Sequence, residues 1–330
     1  MGSDEVTTPV VIIGAGLSGL VAARELRSSG RDVHIVDKGR GVGGRLATRR
    51  IGGARLDHGA QFFTVRGNEF RNTVDAAMAA GIVDVWCHGF DSDDGYPRYF
   101  CPDGMTALAK WMAEDLRSAG VTISLGERVS HISASENEWV LPIDSGNSLR
   151  ATDLIVTSPV PQTLDLLDGG DIELAADIRA ALDAITYKPT IAVLATLDSA
   201  PAIPAPGGVQ QTEHDTFTFI ADNQQKGISQ EPAVTFHANG ELSTDRWEDD
   251  PDLVLADLLA EAEPWLGTAT VVEAQLKKWL YAGPRNPYPE QFLVAASTPG
   301  QLVLAGDAFG GPKVEGAFNS GLAAARRLRS

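Results

Sequence analysis

Val10-Val11-Ile12-Ile13-Gly14-Ala15-Gly16-Leu17-Ser18-Gly19 is the stretch that decides how this chain is built. Four apolar, β-branched residues in a row predict a buried strand, and they run directly into G-x-G-x-x-G. The stretch after it, Leu17 to Ser28, sets Leu20, Val21, Ala23 and Leu26 at helical spacing. A second strand, Val33 to Val36, ends in Asp37, which completes a β-α-β unit within the first forty residues. Gly14, Gly16 and Gly19 then have a mechanical reason to be glycine: a tight turn, close approach of backbone to a pyrophosphate, and close packing of helix on strand. Leu17 and Ser18 open the helix, whose first N–H groups and partial positive charge suit a phosphate. Asp37 stands 23 residues after Gly14, where its carboxylate can accept hydrogen bonds from ribose hydroxyls. Strand, turn, helix and acid together predict dinucleotide binding, where the glycines alone would indicate only a surface turn.

Outward from this unit, Gly39 to Gly53 is so rich in glycine and arginine that it predicts irregular backbone wrapped around a ligand. Met105 to Ala119 reads as a helix, followed by strands at Val121 to Leu125 and Val129 to Ile132. Asp153 to Thr157 is a further strand, and the prolines of Ser158-Pro159-Val160-Pro161 predict a stop there and a crossover out of the nucleotide domain. Residues 161 to 297 combine one helical stretch, strands such as Thr190 to Leu197 and Ala233 to His237, and the proline-rich loop Pro201 to Gly208. The chain returns with a strand at Gln301 to Ala305 and a helix from Val314 to Leu328. The fold class expected is two-domain α/β (α+β): a Rossmann-like domain from 9–65, 104–160 and 298–330, and a mixed β-sheet substrate domain from 66–103 and 161–297.

Composition narrows the partners. The 330 residues carry a formal net charge of −17, which argues against nucleic acid or an anionic membrane as a partner. Cys87 and Cys101 lack C-x-x-C spacing, and the six histidines show no paired ligand spacing, so neither a redox dithiol nor a metal is expected. The apolar runs Val10 to Ile13 and Leu302 to Ala305 are far shorter than a membrane span, and Met1 to Pro9 has no secretory apolar core. Met1-Gly2 begins like a myristoylation signal, but Val6 occupies the place of its Ser or Thr. A cytoplasmic, soluble enzyme is the expectation.

Two further segments point past NAD to FAD. Asp37-Lys38-Gly39-Arg40-Gly41-Val42-Gly43-Gly44-Arg45 resembles the second nucleotide motif of the amine-oxidase-like FAD superfamily, where glycines and an arginine meet the pyrophosphate. Leu302-Val303-Leu304-Ala305-Gly306-Asp307 resembles the strand whose Asp holds the flavin ribityl chain, and Val314-Glu315-Gly316-Ala317 opens the helix that faces the flavin pyrimidine. Asp57-His58-Gly59-Ala60-Gln61-Phe62-Phe63-Thr64 is similar to the matching segment of the renalase family, as are Phe100 to Met105, Asp153 to Pro161, Ala221 to Asn223 and Lys278-Trp279. The resemblance covers about residues 10 to 325 and is weakest from Pro201 to Asp215.

The resemblance implies a p-hydroxybenzoate-hydroxylase-like fold and non-covalent FAD. The cofactor residues it implies are Gly14, Gly16, Leu17, Ser18, Gly19, Asp37, Lys38, Gly44, Arg45, Gly59, Ala60, Gln61, Phe62, Val129, Gly306, Asp307, Val314, Glu315 and Ala317. It implies oxidation of 2- or 6-dihydro-NAD(P) to NAD(P)+, with O2 reoxidising the flavin to give H2O2. Such a hydride transfer needs positioning more than a strong base, because aromatisation of the pyridine drives it. The substrate wall is expected from Gln61, Tyr187, Asn223, His237, Trp279 and Arg285, each alternatively a core or surface residue. Trp279 would stack on the pyridine, and Asn223 or His237 would hold its carboxamide. Lys313 takes the place where amine oxidases carry a cage aromatic, which disfavours a cationic amine, or else it is a solvated loop lysine. Lys188, Lys226 and Arg285 are expected to offset the acidic background near an anionic substrate. The alternatives are a flavin amine oxidase or desaturase of the same superfamily and, in a different class, a flavin-free binding protein like the Rab GDP-dissociation inhibitors.

Overall fold

The computed structural model describes residues 9–212 and 215–329, so the reading of the Met1–Thr8 start lies outside the described residues. The chain divides into two compact units, one built from segments up to Gly44, Ala109–Thr186 and from Pro284 onward, the other from Arg45–Leu108 and Tyr187–Gly283.

The first unit holds a six-stranded sheet in the order Leu293–Ala296, Leu302–Leu304, Leu154–Val156, Val10–Ile13, Val33–Asp37, Thr122–Leu125. All neighbours pair in parallel except the first two, which are antiparallel. Ile12 stands between Ile35 and Ile155 in register, and all three are fully buried. Covered on both faces, these strands read as continuous apolar runs instead of alternating ones. Leu20, Val21, Ala23 and Leu26 of the Leu17–Ser28 helix are likewise fully buried. That helix is crossed by the Val314–Arg327 helix at a distance only glycine permits: a Cβ on Gly321 would lie 2.1 Å from the Ser18 carbonyl oxygen.

The second unit holds a five-stranded sheet in the order Gly208–Gln210, Phe217–Asp222, Ala233–Ala238, Tyr187–Leu197, Val271–Pro284. Period-two alternation sends its two faces to different partners. Ile191, Val193, Ala195, Val234 and Phe236 form one core with Val254 and Leu258 of the Pro251–Glu261 helix. Leu194 and Ala233 point the other way, onto Ile51, Ala54 and Leu56 of a hairpin formed by Thr48–Ile51 and Ala54–Asp57.

Four expectations are corrected by these elements. The strand expected from Val129 to Ile132 is reduced to an isolated bridge between Val129 and Ile143. The Gly39–Gly53 stretch contains the regular Thr48–Ile51 strand, because Thr48 and Ile51 find partners in Asp57 and Ala54. Pro161 does not stop a helix; it sits in the first turn of Val160–Asp168, where its missing N–H removes no intrahelical bond. Among the described residues, 160–297 carry five helices, not one, two of them opened by side-chain caps: Asn239 accepts from Leu242 N at 2.7 Å and Asp250 from Asp252 N at 2.9 Å. The contact units also depart from the expected domain boundaries. Residues 45–65 group with the second unit because their hairpin packs on its sheet, and 161–186 and 284–297 group with the first.

Candidate functional site

In the first unit, the glycine loop is held by its own backbone. Gly14 adopts φ +112°, donates to Val36 O at 2.9 Å, and leads to Ala15, whose N–H donates to Asp37 Oδ2 at 2.6 Å. Asp37 Oδ1 accepts from Gly39 N at 2.6 Å, so the carboxylate ties both glycine loops together. Gly43 N donates to Ala15 O at 2.9 Å, which brings the second loop beside the first. The glycines then serve opposite needs. A Cβ on Gly19 would lie 1.9 Å from Gly14 O, whereas a Cβ on Gly16 would meet nothing within 4 Å. Gly16 thus faces open space at the helix start, its helix has no side-chain cap, and its first turn carries no acid. Ser18 Oγ is buried there with no hydrogen-bond partner among the described residues.

The C-terminal motif lies in the same unit. Gly306 N donates to the buried Ser320 Oγ at 2.8 Å, and Asp307 is 9% exposed. Lys313, exposed, is the N-terminal flank of the Val314–Arg327 helix and provides no side-chain cap; its φ of +87° is uncommon for a non-glycine residue. Val314, Glu315 and Ala317 follow in the first turn, half-buried. Lys38 is exposed and donates to Gln162 Oε1 at 3.0 Å. Val129 is buried. Arg285 is exposed, its backbone N–H bound to Thr186 O at 2.8 Å.

The second unit gathers the remaining candidates around Asp57. Asp57 and Lys226 form a fully buried ion pair at 2.7 Å; Asp57 Oδ1 also accepts from Thr48 Oγ1 at 2.6 Å and Met105 N at 2.8 Å. The Asp57 carbonyl accepts from Gln61 Nε2 at 2.7 Å and Thr235 Oγ1 at 2.9 Å. That first bond fixes the Gln61 amide, since a flipped amide would set two oxygens against each other. Its Oε1 is left buried with no partner among the described residues, and the same holds for His58 Nδ1. Trp279 Nε1 donates to the His58 carbonyl at 2.7 Å, and the two rings stack at 5.4 Å and 23°. His237 Nε2 lies 3.4 Å from Gln61 Nε2. Burial pushes His237 down to about 4, helped by His58 and Lys226 and opposed by a hydrogen bond to the His58 backbone. Burial and the Lys277 charge push His58 down to about 4 as well. Both imidazoles are therefore neutral at pH 7.

Gln61, His237 and Trp279 are thus brought together, joined by His58, for which the sequence carries no spacing signal. Asn223 departs from its expected role. It is fully buried, its Nδ2 donates to Ala221 O, Ala233 O and Thr235 Oγ1, and its Oδ1 lies 3.4 Å from Asp57 N. It braces the Asp57 turn, fully buried, with its Nδ2 turned to these three acceptors. Tyr187 is half-buried edge-to-face with Tyr281. Lys226 is engaged by Asp57 and does not offset charge at a surface, and Arg285 lies in the first unit. Arg45 donates to Tyr281 O at 3.0 Å and Ala282 O at 3.3 Å, which anchors its guanidinium to the Val271–Pro284 strand. Gly59 is pressed against Arg45, where a Cβ would lie 2.0 Å from its carbonyl oxygen, and Ala60 N donates to that oxygen at 2.9 Å. Phe62 belongs to an aromatic cluster with Trp86, Phe90 and Phe219.

Residues 78–329 match the flavin containing amine oxidoreductase family, and residues 12–77 match an NAD(P)-binding Rossmann-like domain. The chain belongs to the flavin containing amine oxidoreductases. Over its whole length this oxidoreductase is similar to Renalase of Mus musculus, at 24% identity across 97% of the chain and 98% of the relative. Cyclohexylamine oxidase from Brevibacterium oxydans IH-35A shares the fold at a TM-score of 0.71 and 16% identity, covering 98% of this chain and 99% of that one. Putrescine oxidase bound to putrescine gives 0.69 and 17%, with the same coverage. It is a flavoprotein oxidoreductase of mixed α/β architecture with a Rossmann-like sheet. The first unit fits a flavin nucleotide: the open side of Gly16, the unpartnered Ser18 Oγ and the helix starts at Leu17 and Val314 that lack side-chain caps are what a pyrophosphate and a polar ring edge require. Among the described residues no group of His, Cys, Asp or Glu could hold a metal ion, and no helix is long and apolar enough to cross a membrane.

Proposed function

We propose that this oxidoreductase binds FAD non-covalently and oxidises a dihydronicotinamide nucleotide, the 2- or 6-dihydro form of NAD(P), to NAD(P)+, with O2 as electron acceptor. The balance is dihydro-NAD(P) + O2 + H+ giving NAD(P)+ + H2O2. The observation that carries the reading is the polar but uncharged face made by Gln61, His58, His237 and Trp279, with Gln61 Oε1 and His58 Nδ1 unpartnered among the described residues. An ammonium substrate would meet neutral imidazoles and the positive charges of Lys277 and Arg49, which act on His58. A dihydropyridine carboxamide, neutral and planar, meets an acceptor for its N–H in Gln61 Oε1 and an indole to stack on in Trp279. Similarity to Renalase over nearly the whole of both chains supports the same assignment.

Bound FAD supplies the hydride acceptor and the route of electrons to O2. Gly14, Gly16, Ser18 and the Leu17 helix start would hold its pyrophosphate, Asp37 its ribose, and Asp307 with the first turn at Val314 its ribityl and pyrimidine end. Gln61 holds the substrate ring in one orientation because Asp57 and His237 fix its amide. Trp279 is fixed in turn by the His58 carbonyl. No side chain has to take a proton from carbon, since the substrate C–H bond breaks with its electron pair and the ring becomes aromatic.

Anaerobic mixing of the flavin-loaded enzyme with 2-dihydro-NAD(P), 6-dihydro-NAD(P) and a panel of primary amines tests the assignment. Rapid bleaching of the flavin by one of the dihydronicotinamides is expected. Bleaching by amines alone would assign the protein to the amine oxidases.

A further inference from the structure

The Val271–Pro284 strand presents different chemistry to its two sides. Ala274 and Leu276 pack into the helix-covered core, and Lys278, next in that series, donates to Trp247 O and lies 5.6 Å from the Trp247 ring. Lys277, Trp279 and Tyr281 therefore face the opposite side, toward the Thr48–Asp57 hairpin, as the Trp279 bond to His58 shows. On that hairpin Arg49 stands directly opposite Leu56, and Leu56 packs on Leu194 and Ala233 of the sheet. Opposed residues of an antiparallel pair share a face, so Arg49 is on the sheet-facing side of the hairpin. His58 N donates to Ala47 O at 2.9 Å, two positions from Arg49, and Lys277 is two positions from Trp279. The two cations thus flank one aromatic stack from its two strands.

We propose that Arg49 and Lys277 form a phosphate subsite, which holds the phosphate of a nucleotide substrate whose ring is carried by the His58–Trp279 stack. Neither makes an ion pair among the described residues, although the chain has 44 acidic residues against 27 lysines and arginines. Burial and the Arg49 charge depress Lys277, and after burial both cations depress His58, opposed by Asp57. Two like charges beside a half-buried ring, in a strongly acidic protein, are stabilised by an anion that arrives with the ligand. A phosphate is the natural anion, because Arg offers it a forked pair of donors and Lys a compact charge. The ring identity rests on the dihydronicotinamide assignment; the anion does not.

The test compares kcat/KM of the flavin-loaded enzyme for 2-dihydro-NAD and for a phosphate-free N-alkyl dihydronicotinamide of the same isomer. The ratio of the two is expected to fall about 10-fold in Arg49→Gln and in Lys277→Gln and further in the double variant, with Lys277→Arg retaining most of it. Arg117→Gln, an exposed residue of the first unit that removes the same charge, leaves the ratio unchanged. An unchanged ratio in the double variant overturns the subsite, as does loss of flavin in place of loss of selectivity, which would assign the cations to the cofactor's own phosphates. Titration with inorganic pyrophosphate, read by tryptophan fluorescence, is independent of the substrate. A saturable change in the wild type that is absent from the double variant supports the subsite, and equal responses overturn it. If neither dihydropyridine bleaches the wild-type flavin, the functional assignment fails while the pyrophosphate result still decides the subsite.

Discussion

Two glycines three residues apart in sequence, Gly16 and Gly19, separate binding from folding. Gly16→Ala places a methyl group in open space, so its stability is expected within about 0.5 kcal/mol of wild type while flavin occupancy falls. Gly19→Ala drives a Cβ to 1.9 Å from Gly14 O and is expected to cost roughly 1–3 kcal/mol. Chemical denaturation of the apoprotein together with the flavin-to-protein absorbance ratio distinguishes them; equal destabilisation by both would refute the division. The buried pair makes a second residue-scale prediction. Lys226→Met leaves the Asp57 carboxylate buried beside Thr48 and Met105 without its cation and is expected to cost about 3–5 kcal/mol. Adding Asp57→Asn removes the stranded charge but keeps an acceptor for those donors, and the double variant recovers part of the loss. At this scale the glycines and Asp37 were legible because local geometry fixes their roles. Asn223 and Lys226 were not, because their partners lie 166 and 169 positions away in sequence.

Elements were legible where burial has one period and obscure where it depends on a remote partner. The Leu17–Ser28 helix and the strands beside it follow from their apolar patterns alone. The Thr48–Ile51 strand, with two arginines and a threonine, has no such pattern and exists because Ala54–Asp57 pairs with it. The proline at 161 misled for a related reason: the same residue that ends a helix when interior begins one when placed in its first turn. The helix crossing at Gly321 yields a test at this scale. Gly321→Ala puts a Cβ 2.1 Å from the Ser18 carbonyl, so the Val314–Arg327 helix must shift away from the Leu17–Ser28 helix. A lowered Tm and weaker flavin retention are expected together, since both helix starts belong to the proposed flavin cradle. An unchanged Tm would show that the crossing tolerates the added atom.

Across the whole molecule, the neutral histidines tie stability to pH. In the unfolded chain they take up protons as pH drops below about 6.5, whereas folded His58 and His237 resist until about 4. Their contribution is therefore complete above the unfolded value and lost as pH falls through that window, by at most about 1.4 kcal/mol per pH unit for each group. Thermal melts of His237→Gln between pH 6.5 and 4 are expected to show a shallower decline than wild type; parallel declines would refute this. The cysteines bear on how the flavin is held. Burial pushes the Cys101 thiol up to about 12 and raises Cys87 as well, so neither supplies a thiolate readily near neutral pH. Acid precipitation is expected to leave the flavin in the supernatant, and colour in the pellet would contradict non-covalent binding. The order of the cofactor motifs was readable from the sequence because each is short and continuous. Of the proposed substrate face, Gln61, His237 and Trp279 were reached only through the family resemblance and His58 not at all, because residues so far apart in sequence share no local pattern.

From Ala274 to Tyr281 the alternation along the Val271–Pro284 strand makes it intolerant of length changes. Deleting a single residue ahead of Lys277 would turn the indole inward against Val254 and Leu258 and send Leu276 or Lys278 out to the hairpin. Core and the proposed ligand face would then fail in the same protein, so a frame of one residue in this segment couples folding to the proposed binding.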